Sequence, residues 1–182
     1  MLNYLHKKYS KILSNLDKHV GLHVRTFARE RDSHLLTVPK NILQNSRCSF
    51  EYYDKAISHF PKDSVFVVFS DNIDCAKVLL KKYKREFIFI ENNPPEEDFY
   101  LLSLLKNVII TSSTFAWWAA YLNPSVEKEI VNPWPWCHYS CYGETFIVDG
   151  KHAIGPLDWK EYPLGDSFSD GFDDIIREFL AQ

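Results

Sequence analysis

The chain has 182 residues, 46% hydrophobic and 15% aromatic, with 21 basic against 24 acidic side chains for a formal net charge of −3. That is apolar mass for one packed core, with too many aromatic and β-branched residues for a disordered chain. A near-neutral balance spread along the chain excludes a dedicated binder of nucleic acid or anionic membrane. Apolar runs such as Val65-Phe66-Val67-Val68-Phe69 fall far short of the roughly 20 residues a bilayer span needs.

Residues 1–16 mix Tyr4, His6, Lys7, Lys8 and Lys11 with apolar residues, a pattern unlike a secretory leader. Apolar positions from Leu2 to Leu16 recur at helical spacing, so one helix is expected over 3–17. Val20 to Arg25 is β-prone. Residues 26–48 are polar and irregular and read as a long loop. A helix is expected from Phe50 to Phe60, and Val65 to Ser70 reads as a strand buried on both faces. Asp71 and Asn72 are cap-type residues ahead of a helix to about Tyr83. Glu86 to Ile90 is the next strand, and Pro94-Pro95 with Glu96, Glu97 and Asp98 opens an acidic-first helix to about Leu105.

Asn107 to Thr111 reads as another buried strand, and Ser112-Ser113-Thr114 starts a helix rich in Ala and Trp. Glu129 to Val131 is expected as a last short strand. Pro133 to Gly165 holds most of the Pro and Gly, residues 134–165 read as a loop-rich wrap, and a final helix is expected within 170–181. Alternation of strand and helix predicts a single α/β domain over 1–182: a Rossmann-like parallel sheet flanked by helices. Four cysteines, Cys48, Cys75, Cys137 and Cys141, are too few for a disulfide scaffold, so reduced thiols and a cytoplasmic location are expected. Cys137, His138 and Cys141 do not have the spacing of a zinc knuckle, and no bound metal is expected.

In open parallel sheets ligands bind beyond the carboxyl ends of the strands. Three such ends carry unusual polar residues: His23 with Arg25, Ser70-Asp71-Asn72, and Thr111-Ser112-Ser113-Thr114. The start of the Ala- and Trp-rich helix, with Ser112, Ser113 and Thr114, would cradle a phosphate through unpaired amides, and Arg25 would add the full charge that a helix terminus lacks. Taken singly, Ser112 or Ser113 could simply cap that helix, and Arg25 could be a surface ion-pair residue. His23 and Arg25 share one face of their strand, where His23 is either a ligand contact or a satisfied core histidine. Asp71 and Asn72 either hydrogen-bond a base or ribose through their side-chain oxygens or cap the helix that follows. Asp71 and Asp74 do not form the D-x-D triplet of metal-bound sugar nucleotides, which points to metal-independent chemistry. Trp134 and Trp136, between prolines, are candidates for stacking on a sugar or for packing.

Glu97-Asp98 through Thr111-Ser112-Ser113-Thr114-Phe115-Ala116-Trp117-Trp118 to Leu122-Asn123 resembles a hallmark of the family 11 glycosyltransferases, the α-1,2-fucosyltransferases. Their pattern there is close to E-D-L-x-L-M-S-x-C-x-x-N-I-I-x-N-S-T-F-S-W-W-x-A-x-L-N. Phe69-Ser70-Asp71-Asn72 is similar to the family's F-S-D-D, and His23-Val24-Arg25 to the opening of its H-x-R-R-G-D. The resemblance covers most of residues 19–136. It implies the C-terminal, donor-binding half of a GT-B enzyme that transfers L-fucose from GDP-fucose, with inversion and without metal or other cofactor, to a galactose 2-hydroxyl of a glycan. Carried over, His23 and Asp71 would contact guanine, Arg25 the diphosphate, and Ser113 and Thr114 the β-phosphate side.

Two departures accompany the likeness. Thr26-Phe27-Ala28 stand where the family has R-G-D, so Asp32 or Glu30 would have to supply the acid, and Arg29 or Arg31 the second arginine. Only 22 residues precede His23, where family members carry a much longer segment that closes over the acceptor. The expected partners are therefore a nucleotide sugar, a glycan acceptor, and a complementary N-terminal half or a second copy of the chain; any membrane contact would run through such a partner. A non-catalytic module that holds a GDP-sugar, and a transferase with a different donor, are the competing readings.

Overall fold

The structure is a computed structural model that describes residues 2–26, 47–134, 136, 147–148, 151–152, 156, 158–166 and 169–181. Its elements begin with α1 (Leu2–Lys8), α2 (Ser10–Leu13), β1 (His19–Val24), α3 (Phe50–His59), β2 (Val65–Ser70), α4 (Ile73–Leu80), β3 (Glu86–Phe89) and α5 (Pro95–Leu104). They continue with β4 (Asn107–Ile109), α6 (Thr114–Tyr121), β5 (Glu129–Trp134), β6 (Ile147–Val148), β7 (Lys151–His152), β8 (Lys160–Pro163) and α7 (Phe172–Leu180). Six strands form one parallel sheet in the order β3-β2-β1-β4-β5-β8, and β6 and β7 pair antiparallel apart from it. The expected parallel α/β sheet is therefore present.

Why these runs form a two-sided sheet is visible in the alternation of side chains. In β1, Val20, Leu22 and Val24 point to the same layer as Phe66 and Val68 of β2, Ile109 of β4 and Val131 of β5, where α3, α4 and α7 cover them. Val67 and Phe69 of β2, Val108 of β4 and Ile130 of β5 point the other way, into a layer made by α2, α5 and α6. Gly21 of β1 also faces α5: a Cβ there would lie 2.8 Å from Leu102 Cδ1 and 3.1 Å from Leu105 Cδ1. A glycine lets α5 approach the central strand closely.

Three expectations are corrected. The N-terminal segment is two short helices rather than one, because Tyr9 leaves helical geometry (φ −114°, ψ 29°). The strand expected over Glu129 to Val131 runs on to Trp134. It is not the last strand either, since β8 pairs beside it within the stretch read as loop-rich. Pro133 is tolerated inside β5 for a definable reason. Val131 C=O accepts from Ile110 N–H on the β4 side, and Pro133, two residues on, faces that same side after β4 has ended. Its missing N–H forfeits no ladder bond.

Side chains tie the loop segments to the sheet. Tyr52 of α3 donates its buried hydroxyl to Ile110 C=O at 2.5 Å and to Val131 C=O at 3.3 Å. Arg47 pairs with Asp173 of α7 at 2.8 Å, both buried, and Phe172 stacks on Tyr53. Cys48 and Cys75 are buried free thiols; Cys137 and Cys141 lie outside the described residues. Among the described residues no helix is long and apolar enough to cross a membrane.

Candidate functional site

The order 3-2-1-4-5 reverses direction between β1 and β4, and the crevice at such a reversal, beyond the carboxyl ends of the strands, is where open α/β sheets take ligands. A cavity of about 310 Å3 lies there, at the lower end of the range for small-molecule sites. His23 and Arg25 reach it from the end of β1, Phe69, Ser70 and Asp71 from β2, and Ser113 and Phe115 from the start of α6, while Asn93, Pro95 and Asp98 close the remaining side. All three strand ends singled out by sequence thus meet at one rim.

Asp71 organises the wall. Its Oδ2 accepts from Arg25 Nη1 at 2.8 Å, and its Oδ1 accepts from the Thr26 backbone N–H at 2.7 Å and the Thr26 hydroxyl at 3.0 Å. The Asp71 side chain is 1% exposed and that of Arg25 21%, so the carboxylate anchors a guanidinium at the pocket wall. Thr26, one of the departures from the family pattern, is what engages the second carboxylate oxygen.

His23 Nδ1 lies 2.7 Å from the Thr111 hydroxyl. Burial pushes its imidazole down to about 4, outweighing the attraction of Asp71, while Arg25 pushes in the same direction as burial. The ring is therefore neutral at physiological pH. It packs 6.0 Å from Phe115, which meets Phe99 edge-on at 5.5 Å.

The start of α6 differs from the starts of α3 and α4. Ser49 and Asn72 cap those two helices through Tyr52 N–H and Cys75 N–H, whereas no side chain caps α6. The first amides of α6 are left with the positive end of the helix dipole at the pocket edge.

The other candidates are placed elsewhere. Asn72 spends its side-chain oxygen on the α4 cap, at 3.0 Å from Cys75 N. Ser112 donates its hydroxyl to the Trp136 carbonyl. Thr114 opens α6 as an exposed residue outside the pocket lining. Asp32, Glu30, Arg29 and Arg31 lie outside the described residues, as does the Cys137–Cys141 pair. Trp136 is buried in the core and Trp134 is partly exposed.

Sequence reasoning missed the fourth wall. In the sequence Asp98 reads as part of an acidic helix start, yet it lines the cavity. Asn93 Nδ2 donates to its Oδ1 at 2.8 Å. Burial pushes the Asp98 carboxyl up to about 6, with Glu97 adding to the rise and Asn93 and Lys8 opposing it. The available signal was topological: β3 runs parallel to β2, so the turn after it must reach the same rim. Among the described residues no group of three or more His, Cys, Asp or Glu side chains could hold a metal ion.

Residues 3–136 match the sequence profile of Glycosyl transferase family 11. The chain is 29% identical over 134 residues to an O-antigen biosynthesis glycosyltransferase, WbnK, of Escherichia coli, covering 70% of this chain and 42% of that protein. It is 36% identical over 99 residues to an α-1,2-colitosyltransferase of Escherichia coli, covering 49% of this chain and 33% of that protein. No solved structure matches the chain at a significant level. The matched stretch thus spans less than half the length of either curated relative. A profile that covers most of the chain, over the strands and helices that build the crevice, makes the protein a member of glycosyltransferase family 11.

Proposed function

We propose that the crevice binds the nucleoside diphosphate of a sugar donor, GDP-fucose in the first instance, and serves metal-independent, inverting transfer of the sugar to a galactose 2-hydroxyl of a glycan. The observation that carries the reading is the meeting of Arg25 with the uncapped start of α6 at one cavity. Departure of GDP builds negative charge on the β-phosphate. A guanidinium held by Asp71 and the backbone amides of Thr114 and Phe115 at the start of α6 are preorganised donors for that charge.

The base end would fall against Asp98 and the neutral His23. Guanine presents two adjacent donors, N1–H and the 2-amino group, which a carboxylate accepts together. Adenine offers an acceptor where guanine has N1–H, and Asp98 would repel it. On this reading Asp71 holds Arg25 rather than the base, because both its oxygens are engaged. Positioning of the acceptor belongs to a second unit facing the crevice, on a longer chain or on a partner. The α-1,2-colitosyltransferase among the relatives supports the α-1,2 linkage and leaves the donor sugar as the variable part.

Thermal melts with GDP, UDP and ADP test the reading. GDP raises Tm at millimolar concentration, ADP does not, and a GDP-fucose assay with galactosides detects transfer when the acceptor unit is present. Equal shifts from all three nucleotides, or none, refute the guanine assignment. Tight GDP binding with no fucose release in the presence of the acceptor unit selects the non-catalytic reading instead.

A further inference from the structure

A network outside the sheet ends at the pocket. Lys8 Nζ, at the end of α1, donates to Asn93 Oδ1 at 2.7 Å and to Glu97 Oε2 at 2.9 Å. The Tyr9 hydroxyl donates to the same Asn93 oxygen at 2.9 Å. Asn93 Nδ2 in turn donates to Asp98 Oδ1, and both Asn93 and Asp98 line the cavity. Asn92, just before, sits at φ 59°, a left-handed conformation that Asn tolerates better than most residues and that sets the turn into α5.

An amide side chain has two orientations differing by a half-turn, one offering N–H and the other C=O to a given neighbour. With two donors aimed at its oxygen, Asn93 has one satisfied orientation, and that orientation offers Asp98 a donor. Without them the amide can turn its oxygen toward Asp98, where two acceptors repel. We propose that Lys8 and Tyr9 are positioning residues for the pocket: by donating together to Asn93 Oδ1 they lock the amide so that it holds the Asp98 carboxylate in place. The benefit to nucleotide affinity rests on the function proposed above; the lock itself does not.

The charged groups around Asp98 are Glu97 on its own helix, Lys8 from α1, and Arg25 and Asp71 with neutral His23 across the cavity. Burial already holds its carboxyl at about 6, so loss of the Asn93 donor favours the protonated form further.

The test is a carbon-13 carboxyl titration of Asp98 by NMR in the nucleotide-free protein, followed by GDP affinity against pH. In Lys8→Met/Tyr9→Phe the Asp98 midpoint rises by about one pH unit, and in an Asn93→Ala background the same pair of changes adds little. Lys8→Arg, which keeps a donor and the charge, leaves the midpoint near its original value. Should the double variant fail to fold, Tyr9→Phe alone removes one donor and no charge and gives a smaller rise. An unchanged midpoint overturns the proposal. So does an equal rise in the Asn93→Ala background, which would mean that Lys8 acts through its charge alone. If the unmodified protein binds no GDP at any pH, the function proposed above fails while the titration still decides the lock.

Discussion

Arg25 pairs with Asp71 and, on the function proposed above, grips a phosphate, and the two parts respond differently to substitution. Arg25→Ala takes one partner, at 2.8 Å, from a carboxylate that is 1% exposed. Breaking a buried pair from one side typically costs about 3–5 kcal/mol. Here Asp71 keeps both bonds from Thr26 and Arg25 is partly exposed, which lowers the expected loss to roughly 1–3 kcal/mol. For a chain of this size that is a fall in Tm of roughly 3–10 °C. Arg25→Ala/Asp71→Asn also neutralises the buried carboxylate, so the double variant melts above Arg25→Ala. Nucleotide affinity behaves otherwise. A charge-assisted bond to phosphate is worth about 1.5–3 kcal/mol, so GDP affinity falls by about 10- to 100-fold in both variants. Melts without nucleotide and calorimetric GDP titrations on the same samples give the two readouts. A double variant that binds GDP as the unmodified protein does would show that Arg25 is only an ion-pair residue, and the phosphate grip would be refuted.

Three further outcomes follow from contacts already described. Gly21→Val places carbon where Leu102 of α5 and Leu105 just after it lie within 3.1 Å of a bare Cβ; overpacking of this kind costs about 1–3 kcal/mol, read by denaturant unfolding, and an unchanged midpoint would contradict the close α5 approach. Tyr52→Phe removes the donor to Ile110 C=O and Val131 C=O and destabilises by about 1–3 kcal/mol in the same assay, whereas a neutral change would mean those carbonyls find water. Asp98 is raised to about 6 and the base contact needs its ionised form, so GDP affinity weakens as pH falls through 6; Asp98→Asn removes that Asp98-linked part of the decline and weakens binding throughout. His23 is unaffected in this window, being held neutral down to about 4.

Sequence and structure agree where side-chain pattern controls the outcome. Val65 to Ser70 reads as a strand buried on both faces, and β2 is buried along nearly its whole length. β8 escaped notice because Lys160-Glu161-Tyr162-Pro163 is a largely exposed edge strand; its pairing is decided by the backbone of β5, not by an apolar run. At the site, the convergence of His23, Arg25, Asp71 and Ser113 was legible because parallel topology puts every strand's carboxyl end on one rim. What each polar atom does there was not legible. Asn72 and Asp71 are neighbours of similar chemistry, yet one is spent on a helix cap and the other on Arg25 and Thr26. Such assignments depend on side-chain direction to within an ångström. Asp98 was hidden for another reason, since an acidic residue in a first helical turn is already accounted for by the helix dipole.

The most direct measurement is an experimental structure of the chain with GDP bound. The account predicts a diphosphate lying between the Arg25 guanidinium and the Thr114 and Phe115 amides, with the base edge against Asp98. GDP seated anywhere else, or bound with its phosphates turned away from both Arg25 and the start of α6, would contradict it.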